Sequence, residues 1–277
     1  MDYIRLHISI SEDVHELLIA ELLDFDFEGF EQEQDSLIAS IPAARFDDTK
    51  REELQKIIYQ FENASIINEE LVAPQNWNRK WEESIEPQTI GSFYVRPTWA
   101  ESVDLDSNLT ELLIDPKMAF GTGYHATTRL ILEWVSDVIK PEDSVLDAGT
   151  GTGILGIAAL KIGAKSVFGF DLDEWSETNA QENIALNGVS NFDVKLGSIE
   201  VIPKHSSFDV VLANINKVAL MELIPSLIKD LKPNGYLLLS GLLEHDEQDI
   251  LGITSTNELQ HIETRQLGEW IAILLRK

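Results

Sequence analysis

From Tyr3 to Ile10 apolar and polar positions alternate in YIRLHISI, the period of a strand buried on one side. The period then lengthens. In SEDVHELLIAELLDF, Val14, Leu17, Leu18 and Leu22 share one helical face, and Ser11 stands where an N-cap belongs. FEGFEQEQDSLIASIP reads as two short strands around the turn EQDS, DDTKREELQKIIYQF as a second helix opened by polar residues, and SIINEELVA as a last strand. The order β-α-β-β-α-β predicts a small ferredoxin-like α+β domain over residues 1–72, with two helices on one face of an antiparallel sheet.

Residues 73–99 break the rhythm. They hold Trp77, Trp81 and Trp99, too many aromatics for a flexible spacer. The segment reads as a connector, with a short helix around Trp77–Trp81 and a strand-like SFYVRPTW, its tryptophans packing onto the next domain or, on the sharper reading, forming an aromatic substrate surface. In residues 100–277, MAFGTGYHATTRL has the form of a glycine-rich loop opening a helix. From Ser144 strands and helices alternate: SVLDAG, GILGIAALKIGA closed by Gly163, SVFGFD, DEWSETNAQENIALNG closed by Gly188, NFDVKLG, FDVVLANI, NKVALMELIPSLIKDL, GYLLLSGL, EHDEQDILGI, LQHIETRQL and EWIAILLRK. This pattern predicts a doubly wound, Rossmann-like α/β domain on a seven-stranded sheet.

Composition narrows the function. The 277 residues carry a formal charge of −27, which argues against direct nucleic-acid binding, since that requires neutralising phosphates with Lys and Arg. It favours a basic partner, or else serves solubility in a host with a generally acidic proteome. Residues 1–72 alone hold 18 acidic residues against 5 basic ones and no residue set that suggests chemistry, so they read as a binding or positioning module. His7 and His15 stand isolated there, as packing or surface residues. With no cysteine, thiol nucleophiles, disulfides and Cys-ligated metals are excluded, and a cytoplasmic setting fits. The start lacks the pattern of a signal peptide, and no apolar run approaches the roughly 20 residues of a membrane span.

The chemistry centres on VLDAGTGTGILG. Gly149, Gly151 and Gly153 follow a predicted strand and precede a helix, where backbone can approach a ligand closely. Gly151, Gly153 and Gly156 also satisfy G-x-G-x-x-G. Asp171 ends the next strand, where a carboxylate can accept both hydroxyls of a ribose; dehydrogenases and methyltransferases both use an acid there. Asp147, at the head of D-x-G-x-G-x-G, would repel a pyrophosphate and suits a cationic amino-acid group or the loop backbone. The pattern favours S-adenosylmethionine over NAD. Asn214 ends FDVVLAN, where an amide oxygen can accept from an incoming amine and aim its lone pair. Asn216 is a candidate helix cap. No His/Asp ligand cluster suggests a metal, and no general base is evident.

MAFGTGYHATT, VLDAGTGTGILGIAALKIGA, FGFDLD and VLANI together resemble the bacterial methyltransferases of large-subunit ribosomal protein eleven. The resemblance extends to the front domain, the Trp-rich connector and the terminal EWIAILLRK. It implies a class I S-adenosylmethionine-dependent N-methyltransferase acting on lysine side chains and the N-terminal amine of that stalk-base protein. The front domain would grip this substrate. By the same resemblance Thr128, Gly149, Gly151, Asp171 and Asn214 belong to the cofactor site, with Phe120–Thr128 covering a floor made by the second loop. His125 lies in the cover, with its role open between structure and substrate. Lys117 stands where the family usually has Gly, and Asn216 where it has Leu. The alternatives are a small-molecule amine methyltransferase, an S-adenosylmethionine-binding module without transfer, and an NAD-dependent oxidoreductase.

Overall fold

The computed structural model describes residues 2–73, 85–117, 119–257 and 259–277, so Trp77, Trp81 and the helix expected around them lie outside the described residues. The chain divides into two compact units, residues 1–77 and 78–277. No helix among the described residues is long and apolar enough to cross a membrane.

The first unit contains β1 (Tyr3–Ser9), α1 (His15–Asp24), β2 (Gly29–Glu33), β3 (Ser36–Pro42), α2 (Asp48–Ile58) and β4 (Ser65–Val72). Its strands lie in the order β2-β3-β1-β4, all neighbours antiparallel, which is the ferredoxin-like arrangement. The alternation in β1 buries Leu6 and Ile8 against Leu18 and Leu22 of α1 and Leu54 and Ile58 of α2. Asp47 caps α2 by accepting from the Lys50 amide at 2.9 Å. Ser11 does not cap α1. It leads into a 3-10 turn, Glu12–Val14, its carbonyl accepting from the Val14 amide at 3.1 Å, and α1 starts only at His15. His15 is fully buried, its Nε2 3.3 Å from the Ile10 carbonyl, and that contact holds the turn ahead of the helix.

The second unit begins with a three-stranded sheet, β5 (Gln88–Ile90), β6 (Phe93–Arg96) and β7 (Thr110–Leu113), of which β5 and β7 escape the sequence pattern. The strand expected over SFYVRPTW stops at Arg96, because Pro97 cannot extend the ladder and the Arg96 guanidinium bonds the carbonyls of Pro97 and Ala100, closing a turn. Trp99, expected to be packed, is 48% exposed on that turn. Next come α3 (Ala126–Val138), β8 (Ser144–Ala148), α4 (Ile154–Lys161), β9 (Ser166–Asp171), α5 (Glu174–Asn187), β10 (Phe192–Leu196), β11 (Phe208–Asn214), α6 (Lys217–Asp230), β12 (Leu231–Leu243), α7 (Glu247–Thr256), β13 (Gln260–Leu267) and β14 (Trp270–Arg276).

The seven large-sheet strands run β10-β9-β8-β11-β12-β14-β13, with β14 antiparallel to both neighbours and the rest parallel. Successive residues of each central strand enter opposite cores. Val145, Val210, Leu212 and Leu238 pack with α3 and α4, while Leu146, Val211, Ala213, Leu237 and Leu239 pack with α6 and α7. Burial on both faces explains why these strands are apolar throughout rather than alternating. The chain moves outward from β8 to β10, then returns to place β11 on the other side of β8. The carboxyl ends of β8 and β11 flank the crevice where such sheets take ligands.

Candidate active site at the switch point

Gly149 and Asn214 stand at the ends of these two strands, and a cavity of about 430 Å³ opens there. Its lining includes Gly149, Gly151, Asp171 and Asn214 from the large sheet, Phe120, His125 and Thr127 from the first glycine loop and its helix, and Trp270 from β14. Both glycine loops therefore border one cavity. They are also bonded to each other: the Thr152 amide donates to the Phe120 carbonyl at 2.8 Å, and the Thr152 hydroxyl donates to the Gly121 carbonyl. A larger cleft of about 720 Å³, lined by Lys165, Phe192, Asp193 and Phe208 among others, lies at the opposite, amino ends of the strands, where neither loop reaches.

The loop after β8 needs its glycines for room as well as for backbone angle. Gly151 has φ +54°, and a Cβ there would collide with the Phe120 carbonyl. A Cβ on Gly149 would strike the Ile215 side chain. Asp147, fully buried at the end of β8, accepts from the Thr150 hydroxyl at 2.8 Å and the Gly156 amide at 3.1 Å. These bonds tie it to the loop side chain of Thr150 and to the first turn of the following helix; its other oxygen has no partner, and it is not among the residues lining the cavity. Burial pushes its pKa up to about 7, aided by the nearby Asp171 charge and opposed by the Thr150 and Gly156 hydrogen bonds. Asp171 does line the cavity. One of its oxygens accepts from the Gly151 amide at 2.9 Å, the other from the Asp173 amide at 3.1 Å, and each keeps a lone pair free.

Asn214 is 8% exposed. Its Nδ2 donates to the Thr128 hydroxyl at 3.1 Å, and its buried Oδ1 has no partner. Thr128, fully buried in the first turn of α3, touches Asn214 and is not itself part of the lining, whereas its neighbour Thr127 is. Asn216 caps α6, accepting from the Ala219 amide at 3.0 Å. His125 caps α3, its Nδ1 accepting from the Thr127 amide at 3.4 Å and lying 2.8 Å from the Thr127 hydroxyl, and its ring packs edge-on between Phe120 at 5.4 Å and Trp270 at 4.6 Å. Among the described residues no group of three His, Cys, Asp or Glu could hold a metal ion.

Three features went unnoticed in sequence. Trp270 walls the cavity from the start of the last strand, directly after the Gly268–Glu269 turn. Gly241 interrupts the apolar run LLLSGLL, a signal of close backbone approach, and a Cβ there would collide with the Ile215 backbone. Asn179, Asn183 and Asn187, spaced four apart on α5, are all buried. Asn187 exchanges bonds with both backbone groups of Leu113 at 3.0 and 2.7 Å. Asn183 accepts from the Asp115 amide at 3.0 Å and donates to the Thr152 carbonyl at 2.9 Å, so one side chain ties the run-in to the first loop onto the second.

An orphaned acceptor at the Asn214 end of the crevice and a glycine-lined floor beside Asp171 suit a ligand with a ribose and an amine donor. Known proteins of similar sequence and fold are described as methyltransferases. The family model described as Ribosomal protein L11 methyltransferase (PrmA) matches residues 4–277. A Ribosomal protein L11 methyltransferase of Chlorobaculum parvum is 33% identical over 99% of this chain and 96% of its own length. One of Porphyromonas gingivalis is 35% identical over 95% of this chain and 90% of its own. The crystal structure of ribosomal protein L11 methylase from Lactobacillus delbrueckii subsp. bulgaricus superposes with a TM-score of 0.65 at 32% identity, covering 70% of this chain and all of that one. Matched by the family model over residues 4–277 and by relatives along nearly its whole length, the chain belongs to the ribosomal protein L11 methyltransferase family.

Proposed function

We propose that this chain transfers methyl groups from S-adenosylmethionine to lysine side-chain amines and the N-terminal amine of ribosomal protein L11. The observation that carries the reading is the Asn214 carboxamide, fixed through Thr128 and left with a buried, unpartnered Oδ1 beside the cavity. When bound, the cofactor supplies a methyl group already activated on a sulfonium, so the protein's work is proximity and alignment. Gly149 and Gly151 line the part of the cavity that takes its amino-acid portion, and Asp171 accepts the ribose hydroxyls with its free lone pairs. Asn214 Oδ1 accepts an N–H of the substrate amine and aims the lone pair along the transfer line. Thr128 keeps that carboxamide from rotating.

A lysine amine, with a pKa near 10.4 in water, must shed a proton before it attacks. The wall of Phe120, His125 and Trp270 excludes water and disfavours the ammonium, lowering that pKa. The proton leaves before the amine seats, and no side chain is assigned as base. The front unit, with its excess of acidic residues, grips the protein substrate. This activity belongs in the cytoplasm, where ribosomal proteins are made.

Intact-mass spectrometry of purified ribosomal protein L11 incubated with S-adenosylmethionine tests this. Stepwise gains of methyl mass with the wild type, reduced with Asn214→Ala, are expected. Absence of any gain from a chain that binds the cofactor would refute the substrate. Neutralising the acidic residues of the front unit should weaken L11 binding and leave cofactor affinity intact; losing both would refute the division of labour.

A further inference from the structure

The turn that carries Asn214 out of β11 is seated on glycines and clamped by an ion triad. Ile215 lies against Gly149 with its side chain and against Gly241 with its backbone, so close that a Cβ on either glycine would collide. Two residues further on, Lys217 opens α6. Its Nζ is 2.9 Å from Asp246 Oδ1 and 2.6 Å from Asp249 Oδ2. Asp246 is 5% exposed, and its other oxygen accepts from the Leu243 amide at 2.9 Å. Both carboxylates lie in the turn and helix directly after β12, the strand that carries the Gly241 seat. Seat and clamp thus belong to one continuous piece of chain.

We propose that Lys217 is a positioning residue for methyl transfer, fixing the Asn214–Asn216 turn and through it the bearing of the Asn214 carboxamide. This rests on the reading of Asn214 as the amine acceptor. Leu220, Ile224 and Leu227 hold α6 on the sheet, but apolar contacts do not set direction. The Asn216 cap fixes where the helix begins. The charge-assisted bonds from Lys217 are the directional contact that fixes its start relative to β12. The paired carboxylates hold the Lys217 pKa above its ordinary value, so the ammonium persists across the working pH range.

The test uses the full chain with purified L11 and S-adenosylmethionine, comparing Lys217→Met, Lys217→Arg, Asp249→Asn, Asn214→Ala and the Asn214→Ala/Lys217→Met double variant. Each is assayed below its own melting temperature, with fold checked by circular dichroism. Lys217→Met should lose about ten-fold in kcat, the scale of a sub-ångström misplacement of the acceptor, with KM for L11 held within about two-fold. Lys217→Arg should restore most of the loss. Asp249→Asn, which leaves Asp246 paired and so remains folded, should show a smaller loss of the same kind. The double variant should turn over no more slowly than Asn214→Ala alone. Wild-type kcat in both Lys217→Met and Asp249→Asn, no rescue by arginine, or losses that multiply in the double variant would each overturn the proposal. Normal turnover by Asn214→Ala would instead sink the acceptor reading, and the role of Lys217 with it.

Discussion

Replacing Asp147 by Asn isolates the cost of a carboxylate buried under the second glycine loop. In the folded protein this group titrates at about 7, against about 3.9 in an unfolded chain. Between those values the folded state holds a proton that the unfolded state has released, so stability falls as pH rises through the window and levels off above it. At 1.36 kcal/mol per pH unit the whole window comes to roughly 4 kcal/mol, of which the stretch from pH 5 to 7 supplies about 3 kcal/mol. Asparagine is neutral throughout. Its oxygen can still accept from Thr150 and Gly156, but its NH₂ then replaces an oxygen that has no partner, a roughly constant cost of about 1–3 kcal/mol. The melting temperature of Asp147→Asn minus that of the wild type, measured without cofactor, should therefore climb by about 6–12 °C from pH 5 to pH 8.5. All other titrating groups are common to both chains and cancel. A difference that stays flat within about 2 °C would refute the assignment of a costly buried charge.

Gly151→Ala places a Cβ on the Phe120 carbonyl and should weaken S-adenosylmethionine binding by at least about 100-fold in calorimetry, the price of moving one loop off the other; unchanged affinity would show that the loops separate freely. Asn183→Leu leaves the Asp115 amide and the Thr152 carbonyl without this partner and should cost about 2–4 kcal/mol in denaturant unfolding, with cofactor affinity falling alongside; a loss of stability with full affinity would make the residue purely structural. Lys117 sits at φ +43°, in the left-handed region that favours glycine. Lys117→Gly relieves about 1–2 kcal/mol of left-handed strain against the entropy of glycine and a lost surface pair with Glu182, so the melting temperature should hold or rise slightly, and a fall beyond about 5 °C would contradict the strain.

The large sheet was legible because each central strand and helix announces itself by period, length and a polar or glycine boundary: Gly188 at φ +61° ends α5 as the pattern indicates. The site glycines, Asp171 and Asn214 were legible for the same reason, since they stand at strand ends. The misses have physical causes. Strand β7 is four residues long and leans on β6 and on asparagine side chains, so its own sequence carries too little period to register. The three asparagines of α5 carry no signal in the sequence, because a side-chain amide that satisfies another segment's backbone looks, in one dimension, like one that faces water. Ser11 sits in an ideal capping context, yet tertiary packing of His15 moved the helix start by a turn. Trp270 matters through where a distant strand delivers it, which no local window contains; Gly241 does mark itself by breaking an apolar run, but the segment that approaches it does not.

The same geometry explains why G-x-G-x-x-G could not by itself choose between cofactors. Gly151 is small because the Phe120 carbonyl lies against it, and Gly156 because the Phe192 ring does. These glycines record the convergence of separate segments on one strand end, whichever ligand binds there. The discriminating residue is Asp147. Gly156 lies in the first turn of α4, and its amide is one of the donors a dinucleotide pyrophosphate would use at a helix N-terminus. Here that donor is already engaged by the Asp147 carboxylate. With the protein's own carboxyl group bonded at this helix terminus, the loop is suited to a ligand that brings no phosphate, and the acceptors left open around the cavity, on Asp171 and Asn214, call for hydroxyl and amine donors.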